Sequence, residues 1–298
     1  MFKGSITALV TPFKDGEIDW KAFEDMVEWQ VEQGSHGVVP CGTTGESPTL
    51  THDEHNAIVS RCVDVVKKRI PVIAGTGSNS TAEAIYSTQH AKDSGADGAL
   101  IVVPYYNKPT QEGMKAHYRA IHDAVDIPIV VYNIPGRCVV DMSNETLAEL
   151  AELKNIVAVK DATGDLNRPA ALSKMVDESF TQLSGNDDSI GEFMEQGGDG
   201  IISVVSNIAP RMNADMIEAF QNGERETFEA LRDKLNPLGH DLFCESNPAP
   251  VKYAAQVLGL CTDEVRLPLV KASEAARAKV NAAMEHAGLS GDAKASAA

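Results

Sequence analysis

The segment Gly95-Ala-Asp-Gly-Ala-Leu-Ile-Val-Val103 has two echoes elsewhere in the chain, Gly34-Ser-His-Gly-Val-Val39 and Gly197-Gly-Asp-Gly-Ile-Ile202. In each, a glycine, two residues and a second glycine precede an apolar run. The first glycine reads as the C-cap of a helix and the second as the opening of a strand. Working outward, the apolar runs are continuous rather than alternating, which marks strands buried on both faces. Eight fit this description: Ser5 to Val10, Gly37 to Pro40, Pro71 to Gly75, Ala99 to Val103, Ile127 to Tyr132, Ile156 to Lys160, Gln182 to Gly185 and Gly200 to Val205. Amphipathic stretches lie between them, with Phe23, Met26, Val27 and Val31 at helical spacing, then Ala84, Ile85, Thr88 and Ala91, then Leu147, Leu150 and Ala151.

Eight strands alternating with helices predict an α/β protein, a (β/α)8 TIM barrel. A doubly wound open sheet is the rival, but the first strand is followed by Thr11-Pro-Phe13 and not by a Gly-x-Gly-x-x-Gly turn. After Arg211 the strand signal ends. Met212 to Gly223, Glu224 to Asp241, Pro250 to Leu258 and Pro268 to His286 read as helices. The expected organisation is a catalytic barrel over 1–223 and a C-terminal helical region over 224–298, whose end from Ser290 onward is low in complexity and expected to fray.

Composition narrows the partners. The 298 residues are 43% hydrophobic and carry 26 Lys and Arg against 43 Asp and Glu, a formal charge of −17. A nucleic acid or an anionic membrane would meet a repulsive field, so neither is an expected partner. An anionic ligand would have to be captured by a local cluster of cations and N–H groups. The start, Met1 to Gly16, lacks the apolar core of a signal peptide. No apolar run approaches the roughly 18 residues of a membrane span. Five scattered cysteines without a Cys-x-x-Cys pair read as reduced thiols, so a cytoplasmic location and no metal site are expected.

In such a barrel the chemistry lies at the C-terminal strand ends. Lys160 closes Ile156-Val-Ala-Val159 and points into the barrel. Desolvation there would lower the pKa of the amine and free it for imine formation with a carbonyl; the bland alternative is a snorkelling lysine or one paired with Asp161. Gly42-Thr-Thr-Gly-Glu46 offers hydroxyls and N–H groups suited to a carboxylate, or else an ordinary capped loop. A phosphate site would instead show glycine-rich turns after strands seven and eight, where Ser206-Asn207 does not fit. Tyr106 and Tyr132 stand at strand ends, where a phenol either relays protons through a hydroxyl such as that of Thr43 or merely packs. Arg137, after a Pro-Gly turn, either grips a carboxylate or is a plain surface arginine. His52 and His55 lack the partners for metal ligation and default to a helix surface.

Five ordered motifs, Gly42-Thr-Thr-Gly-Glu-Ser47, Ile73-Ala-Gly-Thr-Gly77, Pro104-Tyr-Tyr-Asn107, Tyr132-Asn-Ile-Pro-Gly-Arg137 and Val159-Lys-Asp-Ala-Thr-Gly164, resemble the dihydrodipicolinate synthase and N-acetylneuraminate lyase family of pyruvate-dependent class I aldolases. The resemblance runs over about Met1 to Leu289 and implies a role for each matching position. Lys160 would form the Schiff base with pyruvate, with no separate cofactor. Thr43 and Thr44, with the backbone around Gly185 and Ile202, would hold the pyruvate carboxylate and neighbouring atoms. Tyr132 would shuttle protons, linked through Thr43 to Tyr106 of an adjacent subunit, which implies at least a dimer and an expected homotetramer. Arg137 would bind the carboxylate of L-aspartate 4-semialdehyde.

Thr44 in the loop and Arg137 after the turn favour the synthase branch over the sialic acid lyases, and place the reaction in lysine and diaminopimelate biosynthesis. One departure is Arg137-Cys-Val139, where Arg-Thr-Gly is common in the family; a β-branched residue replacing glycine stiffens that rim. Ser47, His52, His55, Asn79, Glu83 and Tyr105 match the positions that bind L-lysine as feedback inhibitor, with Pro48 where alanine is common. The rival readings are a 2-keto-3-deoxy sugar acid aldolase or an N-acetylneuraminate lyase-like enzyme, either of which would place no demand on Arg137, and a catalytically silent barrel that acts only as a binding protein.

Overall fold

The computed structural model describes residues 1–289, so the expected fraying from Ser290 lies outside the described residues. In chain order it contains β1 (Gly4–Ala8), a hairpin of β2 (Phe13–Lys14) and β3 (Glu17–Ile18), α1 (Trp20–Glu32), β4 (Gly37–Val39), α2 (His52–Val66), β5 (Ile73–Gly75), α3 (Thr81–Asp93), β6 (Gly98–Val102), α4 (Gln111–Ala124), β7 (Ile129–Asn133), a short α5 (Pro135–Cys138), α6 (Asn144–Ala151), β8 (Ile156–Asp161), α7 (Arg168–Leu172), β9 (Thr181–Ser184), α8 (Ile190–Glu195), β10 (Gly200–Ser203) and α9 (Pro210–Gln221). Then follow α10 (Arg225–Asp241), α11 (Ala249–Val257) and α12 (Glu274–Ala287).

All eight predicted strands are present and parallel, ordered β4-β1-β10-β9-β8-β7-β6-β5. A single bridge, Val38 to Val72, and the Gly75 N–H bond to the Pro40 carbonyl at 2.9 Å close the ring. The (β/α)8 barrel and the helices after it are therefore as the sequence predicts. The three glycine joints also behave as read: Gly34, Gly95 and Gly197 have φ of +77, +88 and +96, ending helices in the left-handed conformation that glycine adopts without strain.

Strand parity sets the interior. Ile6 and Ala8, Val39, Ile73, Leu100, Val130, Ala158, Leu183 and Ile202 pack together inside the barrel. Their neighbours Val38, Ala74, Ile101, Val131, Val159 and Ile201 pack outward with the helices. Because side chains alternate, Lys160 shares the inward face of Ala158 two residues earlier. Phe2 plugs the bottom, so close to β6 that a Cβ on Gly98 would meet its ring at 2.8 Å.

Two details differ from the sequence reading. The last helix starts at Glu274, not Pro268, because Ser273 caps it by accepting the N–H of Ala276. The β2–β3 hairpin was not predicted, although Asp15-Gly16, both at positive φ, carries the usual two-residue turn signal. The C-terminal helices share one apolar cluster with α9 and β10, in which Val251, Ala254, Val280 and Met284 join Ile201 and Ile217.

Candidate active site

Lys160 lies one residue before the end of β8, beside Tyr132 of β7 and Leu183 of β9 in register, and is only 5% exposed. Its Nζ sits 4.4 Å from the centroid of the Tyr132 ring. Burial pulls its pKa down to about 8; Asp187 opposes the shift and Arg137 adds to it. The alternative pairing with Asp161 is not formed: that carboxylate accepts from Arg168 Nε at 2.9 Å and from the Thr163 hydroxyl at 2.7 Å. Gly185 makes the room, since a Cβ there would lie 3.1 Å from Lys160 Cε.

Above the amine is a cavity of about 160 Å³, lined by Thr43, Thr44, Tyr132, Arg137, Lys160, Gly185 and Val204 among others. Its volume suits a molecule of a few heavy atoms. Ile202 is fully buried in the barrel interior and does not line this cavity, whereas Val204, two residues on, does. The Tyr132 phenol is buried and hydrogen-bonded to the Thr43 side chain; desolvation holds its pKa up at about 12, against Arg137 and Thr43. The loop after β4 is a tight turn bracketed by Cys41 and Glu46 at φ of +56 and +55, in which Gly45 and Glu46 N–H groups return to the Gly42 and Thr43 carbonyls. Glu46 does not form the capping box considered for this loop; Thr51 and Glu54 cap α2 instead.

Arg137 stands exposed on α5, on a rim anchored by Asn133, whose side chain donates to Asp141 and accepts the Met142 N–H. Next to it Val139 takes φ +68 and ψ −31 with 66% of its surface exposed, so the departure from glycine falls where a β-branched residue is strained. Tyr106 is 89% exposed at φ +70 and does not line the cavity of its own chain.

A second cavity, about 440 Å³, opens beside the first and shares Thr43, Ile134 and Arg137 with it. Ser47, Pro48, His52, His55, Glu83 and Tyr105 line it. His52 Nε2 is 3.1 Å from Glu83 Oε1. His55 is not the surface histidine of the default reading: its Nε2 meets the Gly75 carbonyl at 2.8 Å, and burial lowers its pKa. Asn79 stands behind Tyr105, hydrogen-bonding the phenol through its backbone.

Three contributors escaped sequence reasoning. Asp187 is buried after β9 and accepts from Ser203 Oγ at 2.5 Å and from the Val204 N–H at 2.8 Å, with burial raising its pKa. Asn247 donates to Thr44 Oγ1 at 3.0 Å, and Lys252 pairs with Glu46 at 2.6 Å. The signals were a second acidic residue in Gly185-Asn-Asp-Asp188 and a lysine within the apolar run Ala249 to Ala255. Among the described residues there is no cluster of three or more potential metal ligands and no helix long and apolar enough to cross a membrane; all five cysteines are free.

A desolvated lysine inside a closed barrel, with a buried phenol against it and a hydroxyl-bearing turn above it, is the apparatus of a class I, imine-forming lyase. The particular kind follows from likeness: the chain belongs to the Dihydrodipicolinate synthetase family, whose model matches residues 1–287. It is 57% identical over 289 residues to a 4-hydroxy-tetrahydrodipicolinate synthase of Rhodospirillum centenum, covering 97% of this chain and 99% of that one. Among solved structures, the chloride-inhibited dihydrodipicolinate synthase of Acinetobacter baumannii, complexed with pyruvate, superposes with a TM-score of 0.94 at 48% identity, covering 97% of this chain and 100% of that one. The enzyme of Cyanidioschyzon merolae with lysine bound does so with 0.94 at 40% identity, over 97% and 99%.

Proposed function

We propose that the chain condenses pyruvate with L-aspartate 4-semialdehyde to 4-hydroxy-tetrahydrodipicolinate, as its family relatives are named to do. The observation that carries this is the lowered amine of Lys160, buried against Tyr132 beneath a carboxylate-sized turn. The neutral amine adds to the C2 carbonyl of pyruvate and water leaves, giving the imine. Loss of a C3 proton gives the enamine, whose C3 attacks the aldehyde carbon, and the aldehyde oxygen takes up a proton to become the 4-hydroxyl. The amine of the former semialdehyde then adds to C2 and expels Lys160, closing the ring.

Tyr132, hydrogen-bonded to Thr43, is positioned to pass protons at C2 and at the new hydroxyl. Thr43 and Thr44, with the backbone around Gly185 and Ile202, hold the pyruvate carboxylate and neighbouring atoms. Arg137 at the rim takes the carboxylate of the semialdehyde against the acidic surface. Imine formation with Lys160 requires no separate cofactor. Tyr106, exposed in its own chain, completes the relay in a partner subunit, so the working form is a homo-oligomer, a tetramer built from such dimers. The setting is the cytoplasm.

The 440 Å³ cavity is proposed as an L-lysine site, with Glu83 facing an ammonium group, Ser47, His52, His55 and Tyr105 completing the lining, and Asn79 supporting Tyr105 from behind. Its sharing of Thr43 and Arg137 with the catalytic cavity supports feedback inhibition. A lysine titration at subsaturating pyruvate must lower the initial rate, and an unchanged rate removes that assignment. The central test is borohydride trapping: after incubation with pyruvate, reduction and digestion, the pyruvate-derived mass belongs on the peptide containing Lys160. Its absence there, or faster cleavage of 2-keto-3-deoxy sugar acids than condensation with the semialdehyde, refutes the reading.

A further inference from the structure

The turn that carries Thr43 and Thr44 is held from outside the barrel. Glu46 ends it in a left-handed conformation, φ +55, which a residue with a side chain keeps only where its surroundings hold it. Its Oε1 accepts from Lys252 Nζ at 2.6 Å, and its Oε2 accepts the Arg266 N–H at 3.0 Å. Both partners of the ion pair are fully buried. Lys252 gives a second bond to the Glu264 carbonyl at 2.6 Å and lies 4.2 Å from the centroid of the Phe13 ring. Five residues before Lys252, Asn247 donates to Thr44 itself. A buried pair of this kind contributes little stability over apolar side chains of the same volume, whereas its charge and hydrogen bonds fix one geometry. The geometry it fixes here is that of the two threonines.

We infer that Lys252 is a positioning residue for the imine chemistry, which through Glu46 holds the turn so that Thr43 meets Tyr132 and Thr44 faces the substrate carboxylate. This rests on the proposed function. It makes Lys252, which does not line the substrate cavity, part of the catalytic apparatus of the barrel.

The test compares wild type with the double variant Glu46→Gln/Lys252→Met, which removes both charges and leaves neither unpaired. Expected is a folded chain whose KM for pyruvate rises and whose kcat falls, together about 10- to 100-fold in kcat/KM, as for an ångström-scale misplacement. Trapping of pyruvate on Lys160 still occurs. The single variant Glu46→Gln keeps the volume and the bond from the Arg266 N–H, and must move both constants in the same direction by about threefold or more. Asp263→Asn, which breaks the ion pairs to Lys271 and Arg277 in the same region, lowers stability and leaves both constants within about twofold. Wild-type kinetics in the double or single variant, or equal losses in Asp263→Asn, overturn the inference. A wild-type chain that does not trap pyruvate on Lys160 fails the functional reading itself, and does so before any variant is compared.

Discussion

Raising the pH from 6 to 10 titrates Lys160, and the structure fixes where the effect must stop. With a pKa of about 8 in place of the ordinary 10.5, about a tenth of the amine is neutral at pH 7, against roughly three in ten thousand for an exposed lysine, a gain of about 300-fold in reactive nucleophile. The assay is the rate of pyruvate trapping on Lys160 under single-turnover conditions, read by mass at each pH. The rate constant rises about tenfold per pH unit up to pH 7 and levels off near 8. A rate still climbing at pH 10 refutes the reasoning, because the amine then behaves as a solvated one.

The same burial has a stability signature. The folded chain binds this proton more weakly than the unfolded chain, so below pH 8 folding is penalised by about 3 kcal/mol, and the penalty fades as the pH rises from 8 toward 10.5. Relative to Lys160→Met, wild type therefore gains stability over that window in chemical denaturation. A flat difference contradicts it.

Asp187→Asn removes the charge that opposes the depression of Lys160, so the plateau in the trapping profile shifts to lower pH; a shift to higher pH contradicts the assigned direction. Val139→Gly relieves a β-branched residue at φ +68 and, after the entropy that glycine adds to the unfolded chain, raises stability by about 0.5 to 1 kcal/mol in urea unfolding. A loss of stability shows that the rim needs the valine side chain. If Tyr106 works across a subunit interface, inactive Tyr106→Phe and Lys160→Ala chains regain activity when co-refolded, up to about a quarter of wild type for randomly paired dimers. No recovery assigns Tyr106 to its own chain.

Much of the fold was legible because barrel strands buried on both faces are written as uninterrupted apolar runs, and the glycine joints mark where three of them, β4, β6 and β10, begin. Lys160 stood out for the same reason, as a charge continuing such a run. Tyr132, Thr43 and Thr44 were legible from position at strand ends. Asp187, Asn247 and Lys252 were not, since their roles depend on contacts across the fold: the Asn247 bond to Thr44 spans 203 residues and the Lys252 bond to Glu46 spans 206. His55 was misjudged because helix periodicity does not reveal that its ring meets the Gly75 carbonyl on a neighbouring strand. The start of α12 was misplaced by six residues because Pro268 is an attractive first helical residue, yet Ser273 supplies the cap.

The separation between the turn and its anchors also bears on synthesis. The strand that completes the ring, β10, is finished at Ser203, so a growing chain holds every element of the barrel wall before Asn247 and Lys252 exist. Until they leave the ribosome, Thr44 has no partner from the C-terminal helices and Glu46 has no cation. A nascent chain that has reached only β10 therefore lacks the side chains that hold its substrate turn, and lacks as well the part of the apolar cluster that the C-terminal helices supply. The contacts that hold the substrate turn are thus completed only once residues 247–266 have been made, after every strand of the barrel.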